Sequence, residues 1–405
     1  MKNKFQIIKR YIEKSTRPVV LVGSGVNISK SNKELINFIK KYKIPVVSSW
    51  SLDAYPNYDR YYYGRQGSIG NRVGNYIVQY CDTLIILGSR LSIRQTSYNW
   101  VDFAKNAKKI SIDIDILEQK KSLVKYDEII TCNLIDLFKY IKKQNFKVLN
   151  KKNELKWKKW LEWCDYVKNK LTPKIKDYKI YGNKINVYHF IISLFKILKN
   201  KEIIVAGDGA ATVVPQQVGY LNKGIKYIAN SGSASMGYDL PAAIGAAISK
   251  PDRRIICLAG DGSIMMNIQE LQTIKSLNLN ILIFVINNDG YLSIKQTQKN
   301  FFNKEHGSSS KSGLTFPNFV SVAKSFGIKS INLEFKNWEK KLTKIINNDY
   351  GPMLINVDVD LIQQFEPKLK SKQIGEKIFT PSLENMYPFL NKDIQKKILN
   401  KLNEK

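Results

Sequence analysis

Short apolar runs bounded by glycine and polar residues alternate with longer segments of helical spacing over residues 1–148. Apolar runs of about 4–8 residues are typical of buried strands, and their alternation with helices indicates βαβ units around a parallel sheet. The predicted elements of this half are the strands Pro18–Val22, Ile44–Ser48, Thr83–Gly88 and Ile110–Ile114 and a helix over Ser31–Tyr42.

The same pattern begins again near residue 185 and continues to residue 365. Its predicted strands are Ile203–Ala206, Tyr227–Ala229, Ile255–Ala259, Ile281–Ile286 and Met353–Val357, with helices over Pro241–Ile248 and Ile268–Ser276. Residues 149–184 carry lysines and tryptophans at amphipathic-helix spacing, which predicts a connecting helix rather than a membrane-surface helix. We therefore predict an α/β protein with two doubly wound parallel-sheet domains, 1–148 and 185–365, a linker helix over 149–184 and a C-terminal tail over 366–405.

Composition argues against several classes of protein. The 405 residues suffice for two or three domains, and no apolar run approaches the ~20 residues that a membrane span requires. The start, Met1–Phe5, is basic but is not followed by an apolar stretch, so no secretory signal is predicted. The net charge of +31 comes from lysines spread along the chain, without a basic stripe or an arginine-rich arm, so nucleic-acid binding is not expected.

Four cysteines and two histidines limit the metal chemistry of the chain. The cysteines are scattered without a CxxC pair, which argues against a zinc site or a disulfide framework and fits a reducing cytoplasm. They are Cys81, Cys132, Cys164 and Cys257. His189 lies in an apolar helical run and His306 in a polar loop, and both are interpreted as structural or solvated.

Two polar motifs follow two of the apolar runs directly. Gly260-Asp261-Gly262-Ser263 comes after the run that ends at Ala259, and Asn287-Asn288-Asp289-Gly290 comes after the run that ends at Ile286. Open α/β sheets bind ligands beyond the carboxyl ends of their strands, so both motifs are predicted to lie at a ligand site. A carboxylate and a carboxamide supply the oxygen ligands that Mg²⁺ prefers, and the glycines allow a diphosphate to approach the backbone.

This pair of motifs resembles the diphosphate-binding domain of thiamine diphosphate enzymes, and the second half of the chain resembles the acetolactate synthase type throughout. The resemblance implies that Asp261, Asn288 and the carbonyl of Gly290 bind Mg²⁺. Further residues that it places at the cofactor are Asp208, Gly209, Ala210, Ser235, Gly260, Gly262, Ser263, Tyr291 and Leu292. The role of Asp208 stays open, because a carboxylate beside a diphosphate is unfavourable unless it points away.

The segment Asn230–Pro241 resembles a second signature of the same family. In that signature Met236 is the apolar wedge that bends the cofactor, and the backbone carbonyl of Ala234 holds its aminopyrimidine amine. A bulky and adaptable side chain suits a wedge, and the bent shape brings the cofactor's amine close to the carbon that loses a proton. Outside such a motif, Met236 would be interpreted as a core residue.

The first domain resembles the central domain of the same family, which in acetolactate synthases holds FAD without redox chemistry. The residues that fall where those enzymes contact FAD are Gly23, Ser24, Gly25, Arg65, Gly67, Gly88, Arg90 and Arg94. Gln66 replaces a usual histidine, and Ser92 and Ile93 replace two usual acids. FAD binding and a vestigial dinucleotide fold filled by side chains therefore both stay open.

The resemblance also implies a pyrimidine-binding domain, which in this family carries the glutamate that protonates the cofactor. No glutamate of these 405 residues lies in that context, and the sequence opens with the central domain. We therefore expect the isolated chain to be inactive, whether it is half of a split enzyme, a truncated frame or an inactive remnant. Ser293 and Thr297 replace a methionine and a tryptophan that help to choose the second substrate, so the substrate need not be pyruvate.

The expected function is decarboxylation and carboligation of small 2-oxo acids with thiamine diphosphate and Mg²⁺, as in branched-chain amino acid biosynthesis. A simple 2-oxo acid decarboxylase and a non-catalytic nucleotide-binding remnant are the alternatives. The resemblance implies a homodimer or higher oligomer, a separate pyrimidine-domain chain as a candidate partner, and a cytoplasmic location.

Overall fold

The computed structural model describes residues 1–144, 151–199, 201–348 and 351–404, without the side chains of residues 151–153 and 374. Two compact units emerge from the contacts within the chain. The first comprises Met1–Pro173 and Glu366–Lys405, and the second comprises Lys174–Phe365. The first unit thus includes the helical segment and the C-terminal segment that the sequence pattern treats as a linker and a tail.

The first unit is built on a parallel sheet of six strands in the order β3-β2-β1-β4-β5-β6. This is the strand order of dinucleotide-binding folds. In these folds the ligand crevice lies where the strand order reverses, which here is between β1 and β4. The strands are β1 (Pro18–Val22), β2 (Val46–Ser48), β3 (Tyr62–Arg65), β4 (Thr83–Leu87), β5 (Lys108–Asp113) and β6 (Glu128–Thr131).

Helices cover both faces of this sheet, which explains why its central strands are apolar without alternation. Along β1, Val20 and Val22 belong to one buried cluster and Val19 and Leu21 to another. The helices are α1 (Lys2–Lys14), α2 (Gly25–Ile28), α3 (Asn32–Tyr42), α4 (Arg72–Tyr80), α5 (Ile93–Thr96), α6 (Ile116–Lys120), α7 (Leu134–Lys143) and α8 (Lys151–Leu171), with a 3₁₀ turn at Trp100–Asp102.

The second unit contains another six-stranded parallel sheet, in the order β11-β12-β10-β9-β7-β8. Its strands are β7 (Ile203–Ala206), β8 (Lys226–Ala229), β9 (Ile255–Gly260), β10 (Ile281–Asn287), β11 (Lys329–Leu333) and β12 (Met353–Asp358). The strand order reverses between β7 and β9, so the ligand crevice is expected at the carboxyl ends of these two strands.

Eight α-helices are described in the second unit. They are α9 (Val187–Ile197), α10 (Ala210–Val218), α11 (Asp239–Ser249), α12 (Asp261–Ile264), α13 (Glu270–Ser276), α14 (Leu292–Phe302), α15 (Phe319–Ser325) and α16 (Trp338–Asn347), with 3₁₀ turns at Ile175–Asp177, Met265–Asn267 and Ser310–Ser312. Asn186 fixes the start of α9, because its side chain accepts the N–H groups of Tyr188 and His189.

The C-terminal segment forms a small hairpin and a helix that pack on the first unit. Its elements are β13 (Lys372–Ile374), antiparallel to β14 (Lys377–Phe379), and α17 (Lys392–Asn403). The indole N–H of Trp163 on α8 donates to the carbonyl of Ile398 on α17 at 2.9 Å. Ile398 is fully buried, so α17 is an integral part of this hydrophobic core.

The predicted fold class, an α/β protein with two parallel-sheet domains, is confirmed. The central strands begin and end within a few residues of the predicted positions, and Ile203–Ala206 matches without a shift. Three strands were absent from the prediction, namely β3, β6 and β11, and each of them lies at the edge of its sheet. The edge strands β6 and β11 each have one buried position, and the mostly buried β3 contains Gly64 and Arg65, so none of the three carries the apolar run that marks a central strand.

Candidate cofactor site

An open cleft with about 460 Å³ of empty space lies at the carboxyl ends of β7, β9 and β10 in the second unit. It therefore includes the point at which the strand order reverses. Its lining contains most of the predicted cofactor residues, contributed by loops that are far apart in the sequence. These are Asp208, Gly209, Ala210, Met236, Gly260, Asp261, Gly262, Ser263, Asn288, Gly290, Tyr291 and Leu292, joined by Ile286, Ser293 and Ile294.

Asp261 is the centre of the hydrogen bonding in this cleft. Its Oδ1 accepts the N–H of Gly262 at 2.7 Å, and its Oδ2 accepts the N–H groups of Asn288 at 3.0 Å and Gly290 at 2.9 Å. The carboxylate that directly follows β9 thus holds the loop that follows β10. Burial raises the pKa of Asp261 to about 6, although these three N–H donors act in the opposite direction.

The end of the Asn288 side chain lies 3.2 Å from Asp261 Oδ2 and 2.7 Å from the carbonyl oxygen of Gly290. With its amide nitrogen in that position, Asn288 donates to both oxygens. With its amide oxygen there, three oxygens converge without a proton between them, and such an arrangement requires a cation. The donor set of one carboxylate, one carboxamide and one carbonyl fits Mg²⁺, which completes its octahedron with phosphate and water.

This set is the candidate metal site of the second unit. Across the parts of the chain that the structure describes, no three His, Cys, Asp or Glu side chains come together as a metal cluster. His189 bonds the carbonyl of Tyr178 at 2.8 Å, and the backbone of His306 bonds the side chain of Gln298. Neither histidine lines the cleft.

Two helices of ordinary length begin at the cleft and favour an anion there. Gly209 and Ala210 start α10, and Tyr291 and Leu292 start α14. The N-terminal end of a helix carries partial positive charge and unpaired N–H groups, which stabilise a phosphate. The Tyr291 ring also packs on Gly262, where a Cβ atom would lie 2.1 Å from the ring. The glycine in the motif is therefore required by the tyrosine.

The loop that carries Met236 borders the same cleft. Met236 is half-buried and lines it, whereas Ala234 and Ser235 lie outside the lining residues. Ala234 adopts a left-handed backbone conformation with φ of 53°, and its N–H donates to the carbonyl of Asn230 at 2.7 Å. A residue other than glycine is uncommon in this conformation, which is enriched at functional sites.

One buried acid at the site was not singled out by the motifs. Asp239 is fully buried at the start of α11, and its Oδ2 accepts the hydroxyl of Ser263 at 2.5 Å. Its pKa is raised to about 6 by burial, which the hydrogen bond from Ser263 opposes. The signal available in the sequence was an acid inside the otherwise apolar stretch Tyr238–Ile248.

The predicted FAD residues of the first unit lie at the carboxyl ends of its strands. Gly23 and Gly25 follow β1 and pack against Gly88, which follows β4 and has φ of 56°. A Cβ atom on Gly23 would lie 2.2 Å from the carbonyl oxygen of Gly88, so contact between the two loops already requires these glycines. Ser24 beside them is exposed.

The three arginines of this predicted site have different surroundings. Arg65 is buried and donates to the hydroxyl of Tyr62 at 3.2 Å. The Arg94 guanidinium lies 5.0 Å from the centre of the Trp50 ring, and Arg90 is 4.0 Å from a carboxylate oxygen of Glu118. Gly67 has φ of 136°, and its N–H donates to the side chain of Asn75 at 2.8 Å.

Gln66, between Arg65 and Gly67, is fully buried, and neither atom of its amide has a hydrogen-bond partner among the described residues. The buried indole N–H of Trp50 likewise has no hydrogen-bond partner among the described residues. A buried polar group without a partner costs about 1–3 kcal/mol, so these groups fit a polar molecule held at this edge of the sheet.

Two family profiles match the chain, one for each sheet. Residues 6–131 match the thiamine pyrophosphate enzyme central domain, and residues 207–357 match the thiamine pyrophosphate enzyme C-terminal TPP binding domain. The second match spans the whole cleft around Asp261. The chain belongs to the thiamine pyrophosphate enzymes, whose cofactor, thiamine diphosphate, is the one predicted from the motifs.

Within that class, the chain is similar to acetolactate synthase large subunits. It is 30% identical over 363 residues to that of Cyanidium caldarium, which covers 89% of this chain and 60% of the relative. The probable acetolactate synthase large subunit of Methanococcus aeolicus is 30% identical over 366 residues, covering 87% of this chain and 59% of the relative. Acetolactate synthase 2, chloroplastic, of Nicotiana tabacum is 30% identical over 373 residues, covering 90% of this chain and 54% of the relative.

The chain thus spans 54–60% of the length of these relatives. Among the residues that the structure describes, no helix is both long and apolar enough to cross a lipid bilayer.

Proposed function

We propose that the second unit binds thiamine diphosphate through Mg²⁺ and that the chain takes part in acetolactate-synthase-type chemistry on 2-oxo acids. The observation that carries the proposal is the convergence of the Asn288 side chain, Asp261 Oδ2 and the Gly290 carbonyl at 2.7–3.2 Å. With its amide nitrogen at this place Asn288 donates to both oxygens, and with its amide oxygen there the three oxygens form a donor set for a cation, which would hold a diphosphate over the start of α10.

When bound, thiamine diphosphate supplies the electron sink for decarboxylation of a 2-oxo acid. The residues of this chain bind, shape and shield it. Asp261, Asn288 and the Gly290 carbonyl would hold the metal, and Met236 would press on the cofactor from the loop before α11. Leu292 and Ile294 add apolar surface to the cleft, which would lower the access of water to a bound cofactor.

The first test is calorimetric titration of the full chain with thiamine diphosphate, with and without Mg²⁺. Binding that depends on Mg²⁺, and that is lost when EDTA is added, supports the proposal. Heat of binding that is unchanged by the metal, or no binding in either buffer, contradicts it.

The reaction type is part of the proposal. Carboligation is supported by the 30% identity to acetolactate synthase large subunits, and these relatives do not favour a simple decarboxylase. We infer that turnover also needs the glutamate of a pyrimidine-binding domain. Product analysis with pyruvate separates the two reactions, because carboligation gives acetolactate and decarboxylation alone gives free aldehyde.

A nucleotide such as FAD is proposed as the ligand of the first unit, on the strength of the buried amide of Gln66. The test compares the wild-type chain with Gln66→Leu by titration with FAD and by thermal unfolding. The substitution removes a buried unpartnered amide, so it is expected to raise the unfolding temperature of the ligand-free chain and to weaken FAD binding. A wild-type chain that does not quench flavin fluorescence would favour a site filled by side chains and water.

Assembly and location complete the proposal. A homodimer or higher oligomer is expected by likeness to the family, and sedimentation of the full chain tests it. A cytoplasmic location is supported by four cysteines that are all free and buried.

A further inference from the structure

Asp239 is the acid that follows Met236 in the segment Asn230–Pro241, and it has no role in the proposed binding of the metal. Its side chain is completely shielded from solvent, and both of its oxygens are engaged. Oδ2 accepts the Ser263 hydroxyl at 2.5 Å, and Oδ1 accepts the N–H of Leu240 at 3.0 Å. A buried carboxylate is costly, so its retention beside a cofactor cleft suggests a structural duty in that cleft.

Ser263 connects this carboxylate to the loop that carries Met236. A hydroxyl has one proton to donate, and Ser263 donates it to Asp239. The same oxygen accepts the N–H of Gly237 at 2.9 Å. The hydroxyl is therefore committed on both sides, and its proton is not available to a diphosphate.

Gly237 is fixed from two directions. Its N–H donates to Ser263, and its carbonyl accepts the side-chain amide of Asn267 at 2.7 Å. Its φ of 77° belongs to the left-handed region, and a Cβ atom here would lie 2.6 Å from Met266. The residue next to Met236 is thus held by two side chains of the segment that begins at Asp261.

The end of β7 makes room for this arrangement. A Cβ atom on Gly207 would lie 2.4 Å from Asp239 Oδ2, so only glycine allows the carboxylate to occupy this position. Three loops that line the cleft, those after β7 and β9 and that before α11, therefore meet at one buried carboxylate.

We propose that Asp239 is a positioning residue that, through Ser263 and Gly237, couples the Met236 wedge to the metal-binding turn at Asp261. The relay sets the distance between the group that bends the cofactor and the group that anchors its diphosphate. Asp239 acts through Ser263, so it touches neither the metal nor the substrate. The inference rests on the proposed function, because it assigns the wedge and the anchor to these residues.

Amide hydrogen exchange in the cofactor-free chain tests the relay itself. Ser263→Ala removes the acceptor of the Gly237 N–H, and Asp239→Ala removes the acceptor that orients the Ser263 hydroxyl, so we expect exchange at Gly237 to become at least about tenfold faster in both variants. Asn267→Ala removes the support of the Gly237 carbonyl without disturbing the buried carboxylate, and it should act in the same direction. Asp252→Asn, an exposed acid in the turn after α11, is the matched control.

Calorimetry with two probes tests the coupling. The full chain is titrated with Mg²⁺-thiamine diphosphate, which would meet both the wedge and the anchor, and with Mg²⁺-pyrophosphate, which would meet the anchor alone. Asp239→Ala should weaken the first by roughly tenfold and the second by less than about twofold. Asp239→Asn keeps a polar group beside Ser263 and should recover most of the loss, and it also serves if the alanine variants do not fold.

Unchanged exchange at Gly237 in the Asp239 and Ser263 variants would overturn the relay. Equal losses for both probes would show a role in general folding and would overturn the coupling. If the wild-type chain binds neither probe, the proposed function fails, and the exchange at Gly237 still decides whether the relay holds the loop.

Discussion

At the scale of single residues, Asp261 has two roles, one in the backbone structure of the site and one in the proposed binding of the metal. It organises the backbone of Asn288 and Gly290, and it supplies the negative charge that a cation needs. Because all three of its backbone partners are N–H donors, an amide in its place would turn an NH₂ group towards a donor on one side.

We therefore predict that Asp261→Asn weakens Mg²⁺-dependent binding of thiamine diphosphate by at least about tenfold, as measured by calorimetry. The matched control is Asp289→Asn, because Asp289 lies in the same motif but bonds the hydroxyl of Ser310 at 2.6 Å. The control should stay within about twofold of wild type. If both variants lost the same affinity for thiamine diphosphate, the total charge of the loop would explain the loss, and Asp261 would not be a metal ligand.

Gly262 is required for packing, and its replacement tests the ring contact directly. A methyl group here would lie 2.1 Å from the Tyr291 ring, which is rigid and cannot bend away. We expect Gly262→Ala to lower the free energy of unfolding by about 1–3 kcal/mol, measured by urea denaturation.

The matched control is Gly245→Ala on α11, where a Cβ atom meets nothing within 4 Å. Alanine is the better helix former, so this variant should gain up to about 1 kcal/mol. Opposite signs for the two glycines are the expected outcome. A neutral Gly262→Ala would show that Tyr291 does not occupy this position in solution.

Residue types and spacing were enough to predict residues that the structure brings into one cleft, but not the contacts that support them. Asp261, Asn288 and Met236 stand in motifs that can be read along the chain, and the structure places all three in one cleft. Asp239 could not be assigned in the same way, because its partners Ser263 and Gly207 lie 24 and 32 positions away. Their meeting depends on which strands are neighbours in the sheet.

At the scale of whole elements, apolar runs predicted the central strands and missed three edge strands. In β11 polar and apolar residues alternate over Ser330–Leu333, and only Leu333 is buried. Tyr62–Arg65 in β3 contains a glycine and an arginine and resembles a loop. The α8 helix was expected from its spacing, but its partner could not be predicted, because α17 lies over 200 residues further along the chain.

The helix α17 gives an element-scale prediction. Ile398 is fully buried against the first unit, whereas Ile394, one turn earlier, is 42% exposed. Ile398→Ala should lower the free energy of unfolding by about 2–5 kcal/mol, and Ile394→Ala by less than about 0.5 kcal/mol, both measured by urea denaturation. If Ile398→Ala were as mild as its neighbour, α17 would be a loose tail after all.

At the scale of the whole molecule, both units follow one plan. Each has six parallel strands, and in each the glycine-containing loops gather where the strand order reverses. The second unit combines that crevice with a carboxylate and a carboxamide, which suits a metal-bound diphosphate. The first has the Gln66 amide, buried and without a partner among the described residues, after its edge strand β3, which suits an uncharged hydrogen-bonding group. The same topology thus presents different side chains at its strand ends, and the ligands proposed for the two units differ accordingly.

The four cysteines report on the integrity of both units at once. Cys81, Cys132 and Cys164 lie in the first unit and Cys257 in the second, and all are buried and free. Burial raises the pKa of every one of these thiols, so the thiolate fraction at pH 8 is smaller than for an ordinary cysteine.

We expect a thiol reagent such as Ellman's to leave the native chain almost unmodified and to titrate all four thiols in guanidinium chloride. The native reaction should accelerate with urea, because it requires opening of the core, and it should slow further as the pH falls. One thiol that reacts at once would contradict the structure. Cys132 lies closest to the surface, at 9% exposure, so Cys132→Ser identifies the source.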